Sequence, residues 1–217
     1  FSLKDPDPLS YNKSTKQLKK NKINVQNGIL GSDIKNFYKS YFKYKKNILP
    51  FVTAKIAISK DYFTKSKKKK WITNKFSRAR AHLIRSNHDC ILTSSKTIIK
   101  DNSELTCRIR GLENHSPSRI ILDKKLKIPI TSNIVRTANK YHTIIFFNKI
   151  NKKKIKIFKN LKIKLVKTSL GQDGNFDLKN ILVKIKLLGF SRILLETGLK
   201  LTTNFLNKGL VDDFQLF

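Results

Sequence analysis

Seven side chains have the types to do chemistry: Lys55, Trp71, Arg85, Thr97, Asp101, Arg108 and Glu196. They do not include a nucleophile set. Arginine offers a planar fork of donors that matches a phosphate, while a lysine and a glutamate can orient hydroxyl groups and steady a developing charge. Such a set suits a charged, phosphorylated substrate held beside a cofactor that supplies the hard chemistry. The other common chemistries lack their residues. There is no GxxxxGK[ST], no GxGxxG, no GxSxG, no Cys/His pair placed for covalent catalysis, and no zinc-deaminase H-x-E with P-C-x-x-C. His82, His88, His115 and His142 are scattered without metal-ligand spacing.

These residues need elements to position them. The run 51–59, "FVTAKIAIS", reads as a strand with Val52, Ala54, Ile56 and Ile58 on one face. Thr53, Lys55, Ala57 and Ser59 share the other, a mostly small face that fits either a ligand or an exposed edge. Residues 73–87 fit a helix, with Phe76, Ala79 and Leu83 expected toward the core and Arg78, His82 and Arg85 on the opposite side. Strands are expected at 90–95, 118–123 and 143–148, with a turn at Asp101-Asn102-Ser103. The alternation of Lys and apolar residues over 154–166 reads as strands with a wet lysine face. Asp177 is the expected N-cap of a helix carrying Leu178, Ile181, Leu182, Ile185 and Leu188, stopped by Gly189. A strand at 192–196 ends in Glu196, Gly198 opens another helix, and a last strand closes the chain.

Strands and helices alternate, which predicts a largely parallel sheet covered by helices. Ligands then lie at the carboxyl ends of the strands, where Glu196-Thr197-Gly198 falls. Upstream, the sequence suggests a polar helix at 14–21, a strand-like 23–25, and a helix from Ser32 with an apolar stripe of Ile34, Phe37, Tyr38, Tyr41 and Phe42. A linker at 43–50 would end at Pro50. The domain expectation is therefore 1–46 as the end of a preceding domain with its joint, and 47–217 as the main domain.

The chain of 217 residues carries a formal net charge of +33. Its hydrophobic share of 39% is too high for a disordered basic tail. A basic surface is only the electrostatic footprint of nucleic-acid binding, and no recognition motif accompanies it, so nucleic acid is not expected among the main partners. No apolar run is long enough to span a bilayer. Cys90 and Cys107 lack CxxC spacing, which fits a reducing compartment. The chain contains no Met and opens on Phe1, which suggests a piece of a longer protein.

Several ordered stretches resemble one family. "FVTAKIAISKD", "KWIT", "SRARAHLIRSNHDCILTSSKTIIKDNSELTCR", "SRIILD" and "LLETGLKLTTNFLNKGLVDD" are similar, in order and spacing, to the reductase half of the bifunctional riboflavin-biosynthesis deaminase/reductase. "DPDP", "LKKNKINVQNGI" and "IKNFYKSYF" look like the end of its deaminase half and the joint. The resemblance implies a dihydrofolate-reductase-like three-layer α/β fold, with a central mostly parallel sheet and helices on both faces. It implies NADPH-dependent reduction of the ribosyl group of 5-amino-6-(5-phosphoribosylamino)uracil to the ribityl form. Ala57, Trp71, Thr97, Asp101, Lys124 and the run Gly198, Leu199, Lys200, Leu201, Thr202, Thr203, Asn204 would contact the cofactor. Lys69, Arg85, Leu105, Arg108 and Glu196 would hold the substrate, the arginines near its phosphate. Lys55 matches a lysine beside the reacting centre and, with Glu196, would form the catalytic pair. A homodimer, an upstream zinc deaminase domain and a cytoplasmic location are also implied.

The sequence departs from that family at several points. Tyr62 stands in place of the Gly of S-x-D-G, and Lys69 and Lys124 replace serines. D-D-P reads Asp101-Asn102-Ser103, and E-G-G reads Glu196-Thr197-Gly198. The family continues past "GLVDDFQLF", so the reductase part is expected to be truncated here. A rival reading is a degenerate reductase domain kept as a basic RNA- or protein-binding module.

Overall fold

The computed structural model describes residues 1–46, 49–64 and 72–217. Three short helices come first: α1 (Lys13–Lys20), α2 (Gly31–Phe37) and α3 (Lys39–Lys46). The main body then alternates β1 (Phe51–Ile56), α4 (Lys75–Ser86), β2 (Cys90–Ser94), α5 (Ser95–Asp101), β3 (Ser118–Leu122), α6 (Asn133–Arg136) and β4 (Thr143–Phe147). It ends with α7 (Lys152–Asn160), β5 (Lys164–Lys167), α8 (Leu178–Leu187), β6 (Arg192–Leu195), α9 (Leu199–Asn207) and β7 (Asp213–Leu216).

The seven strands form one sheet in the order β5-β4-β3-β2-β6-β1-β7, and every pairing is parallel. Since every strand runs the same way, their carboxyl ends share one rim. The inner strands alternate their side chains between two apolar cores, so a parallel sheet covered on both faces reads as near-continuous Ile and Leu. On one face Leu92, Ile120, Phe146 and Leu195 pack against Ile181, Leu182 and Ile185 of α8 and Phe205 of α9. On the other, Ile91, Ile121, Ile145 and Leu194 meet Ile84 of α4, Ile98 of α5, Ile134 of α6 and Phe158 of α7. Each such buried side chain contributes about 1.5–3 kcal/mol by leaving water. The result is the three-layer α/β arrangement the sequence predicts.

Local sequence sets the helix starts. Asp177 accepts from the amides of Lys179 and Asn180, Asn74 from Ser77, and Asn151 from Lys154. The second core also encloses a charge. Arg119 is wholly buried, and it donates to the hydroxyls of Thr137 and Thr143 and to the carbonyls of Glu104, Ile134 and Tyr141. That cage satisfies the fork while burial brings its pKa down to about 10.

Four expectations are corrected. Residues 154–160 form helix α7, because Asn151 caps it and Ile155 and Phe158, three apart, both face the core; their alternation with lysine is incidental. The outward and inward faces of α4 are exchanged. Phe76 is 73% exposed while Ile84 is 9% exposed, and His82 and Arg85 point inward. Residues 23–25 make no strand, and the expected helix from Ser32 is broken at Tyr38 into α2 and α3, the latter running into the expected linker. Helices α5 and α6 were not anticipated from their short, mixed patterns. Among the described residues no helix is long and apolar enough to cross a membrane.

Candidate active site

The carboxyl ends of β1, β6 and β2 lie side by side. One step beyond the paired residues Ala54 and Leu195, Lys55 and Glu196 sit on the same face of neighbouring strands. The Glu196 amide donates to the Leu92 carbonyl (3.1 Å), which extends the ladder and fixes where the carboxylate starts. Arg85 reaches it from the inward face of α4. Its Nε donates to Glu196 Oε2 at 2.9 Å and its Nη2 to Oε1 at 2.7 Å, a bidentate pair. Lys55 Nζ lies 3.9 Å from the same Oε1. The side chains of Lys55, Arg85 and Glu196 are 15%, 11% and 18% exposed, so the cluster is largely removed from solvent yet reachable.

The loop after α5 completes the cluster through its backbone. Leu105 has φ 57°, an unfavourable left-handed conformation for a bulky residue, while its side chain is buried in the core. The Thr106 carbonyl that follows accepts from Arg85 Nη1 at 3.0 Å and lies 3.0 Å from His82 Nδ1. The Arg108 amide approaches that same His82 nitrogen at 3.3 Å. The Arg108 side chain is exposed and has no partner among the described residues.

These contacts set the charge states. Burial alone would raise the Glu196 carboxyl, but the Arg85 charge and hydrogen bonds, followed by Lys55 and His82, hold it down from 4.5 to about 2. Burial also works against the Arg85 charge, yet Glu196 keeps it raised. His82 is lowered by burial first and by Arg85 and Arg108 next, so its imidazole is neutral at neutral pH. The cluster is thus one carboxylate between a lysine and an arginine, beside a neutral ring.

Beside it, three hydroxyls meet at the ends of β2 and β6. Ser94 Oγ is 3.0 Å from Thr97 Oγ1, which is 3.2 Å from Thr197 Oγ1. Gly198 then opens α9 as an N-cap with no side-chain capping bond, and a Cβ there would meet nothing within 4 Å. Open space therefore lies beside the first turn of α9.

The structure brings Lys55, Arg85 and Glu196 together, with Arg108 tied in through its amide. Ala57 follows β1, Thr97 lies in the hydroxyl group, and Gly198, Leu199 and Lys200 are exposed at the start of α9. Leu201 packs partly on the core, Thr202 is buried and turned to the Gly198 carbonyl, and Thr203 and Asn204 are exposed along α9. Asp101 is exposed at the far end of α5 from Thr97. Lys124, beyond β3, donates to the Gly174 carbonyl. Lys69 and Trp71 lie outside the described residues. Sequence reasoning missed His82, the Thr106 carbonyl, Ser94 and Thr197 as members. A usable signal existed for His82, three residues before Arg85 on one helix face; the carbonyl has no side-chain signature.

The fold and site together define a dihydrofolate-reductase-like α/β domain with a charged crevice at the strand ends. A family model described as the RibD C-terminal domain matches residues 50–217, and the chain belongs to that family. It is 32% identical over 216 residues to the "Riboflavin biosynthesis protein RibD" of Aquifex aeolicus, covering 98% of this chain and 58% of that protein. A "5-amino-6-(5-phosphoribosylamino)uracil reductase" of Buchnera aphidicola is 28% identical over 162 residues, 68% of this chain and 73% of that one. Among solved structures, Acinetobacter baumannii RibD superposes with a TM-score of 0.79 at 24% identity over 98% of this chain and 58% of that one, a likeness of fold. The chain thus spans little more than half the length of the RibD proteins it matches.

Proposed function

We propose that this domain is an NADPH-dependent reductase that converts the ribosyl group of 5-amino-6-(5-phosphoribosylamino)uracil to the ribityl form in riboflavin biosynthesis. The observation that carries the reading is the Lys55–Glu196–Arg85 cluster at the rim of adjacent strands, next to the open start of α9, in a chain of this family. The Buchnera 5-amino-6-(5-phosphoribosylamino)uracil reductase, which the chain matches over most of both lengths, supports the substrate.

The start of α9 would receive the phosphates of a dinucleotide. Open space at Gly198 and the hydroxyls of Ser94, Thr97 and Thr197 lie where such folds receive phosphates and ribose. Bound NADPH would supply the hydride. Glu196, kept ionised by Arg85, would accept from hydroxyls of the opened ribose and hold its reacting carbon in place. Lys55, within 3.9 Å of that carboxylate, would steady the charge on the oxygen or nitrogen released by ring opening and hold the proton that balances the hydride.

Arg85 takes a different part from the one its type suggests. Its Nε and Nη2 are spent on Glu196 and its Nη1 on Thr106, so it positions the carboxylate, and the guanidinium of Arg108, exposed and without a partner among the described residues, is assigned to the substrate phosphate. An upstream deaminase domain, a homodimer and a cytoplasmic location belong to the same proposal.

The test follows the hydride. Purified protein is given the aminouracil substrate and NADPH deuterated at the transferred position, and the product is read by mass spectrometry. One deuterium in the ribityl product is expected. A product without deuterium, or no NADPH consumption, would overturn the reading.

A further inference from the structure

The 14 acidic residues of the chain are absent from residues 124–172, where an even spread would place about three, while 14 lysines and arginines fall there. That block is one side of the molecule: β4, α7 and the edge strand β5, at the opposite end of the sheet from β1 and β7. Twelve of its cations are exposed, and among the described residues none of these pairs with a carboxylate.

Edge protection explains only part of this. Lys164 and Lys167 sit on β5, where lysines discourage pairing with another sheet. Helix α7 is different, because its exposed Lys152, Lys153, Lys156 and Lys159 protect no edge. Lys152 and Lys153 lie in its first turn, against the positive end of the helix dipole, with no acidic residue there. Lys152 and Lys156 are four apart and Lys156 and Lys159 three apart, like charges that cost a few tenths of a kcal/mol per pair. The helix therefore carries a repulsion that no carboxylate among the described residues relieves. A dense anion outside the chain would relieve it.

We infer that the α7–β5 face binds the phosphate backbone of nucleic acid, a second property of this domain that does not depend on the reductase reading. A polymer of phosphates matches an extended array of solvated lysines with no carboxylate among them. A membrane surface fits less well, since the apolar side of α7, Ile155, Ile157 and Phe158, is spent on the core and cannot enter lipid. No aromatic residue is exposed on α7 or β5 to stack on a base, so the binding is independent of sequence and strongly dependent on salt.

The test is fluorescence anisotropy of labelled oligouridine with the purified protein between about 50 and 200 mM KCl. With four phosphate contacts the logarithm of affinity falls with the logarithm of salt at a slope of about 3. Reversing Lys152, Lys153, Lys156 and Lys159 to Glu together weakens binding more than about tenfold. Reversing the exposed Lys13, Lys16, Lys19 and Lys20 of α1, an equal change in net charge, weakens it less than about threefold. NADPH oxidation by the α7 variant stays unchanged, because none of the four lysines is in the crevice. If the reversed helix fails to fold by circular dichroism, the same positions changed to Gln carry the comparison. Equal losses in the two variants would overturn the inference, as would no binding to RNA, or tighter binding to phosphatidylglycerol vesicles or polyglutamate than to RNA.

Discussion

Helices α8 and α4 both lie against the sheet, on opposite faces, and they are built on opposite terms. In α8 the residues that look apolar are the ones buried: Leu178, Ile181, Leu182 and Ile185 enter the core, and Asp177 caps the start. In α4 Phe76 is turned to solvent while His82 and Arg85 face the sheet. Where local pattern and tertiary packing agree, the helix is scaffold. Where the fold brings charge inward against that pattern, it does so to hold Glu196.

Removing the inward charge of α4 gives the largest effect. Arg85→Ala leaves Glu196 without its bidentate partner in a poorly solvated place, a loss on the order of 3–5 kcal/mol, and NADPH oxidation by the folded fraction falls at least about 100-fold. In α8, Ile185→Ala costs about 2–5 kcal/mol but leaves kcat of the folded protein unchanged. Chemical denaturation beside steady-state kinetics separates the two; equal kcat losses would erase the contrast between the helices.

Acid sharpens it further. Glu196 has a folded-state pKa of about 2 against an ordinary 4.5, so its contribution to stability is complete above about pH 4.5 and is lost as the pH falls toward 2. Across that window the wild type should lose stability more steeply than Glu196→Gln, measured by urea midpoints, and parallel curves would argue against the paired charge. The smallest effect is on the outer side of α4, where Phe76→Ala should shift stability by no more than about 0.5 kcal/mol.

The same contrast explains what was legible in the sequence. The alternation of strands and helices, the Asp177 cap and the Gly198 helix start are local signals, and they carried the parallel sheet and the place of Glu196. The orientation of α4 was not local. Its inward side combines Ile84, which packs in the core, with Arg85, whose partner Glu196 lies 111 residues away in sequence and leaves no local sign. Helix α7 misled for a related reason: in seven residues, Lys and Ile alternate well enough to pass for a strand, and the capping Asn151 was the better guide. Arg119 gave no sign of burial, because its cage of carbonyls and hydroxyls comes from three other segments, at 104, 134–137 and 141–143. Of the residues the resemblance named, the structure brings Lys55, Arg85 and Glu196 together, with Arg85 bonded to the carboxylate and the Arg108 side chain without a partner among the described residues.

The claim that the Glu196 carboxylate does the positioning at the reacting centre is tested most directly by turnover of the aminouracil substrate in Glu196→Gln, with NADPH affinity measured alongside. The account predicts kcat lower by at least about 100-fold, with NADPH affinity within about threefold of wild type. Turnover within about threefold of wild type would contradict it.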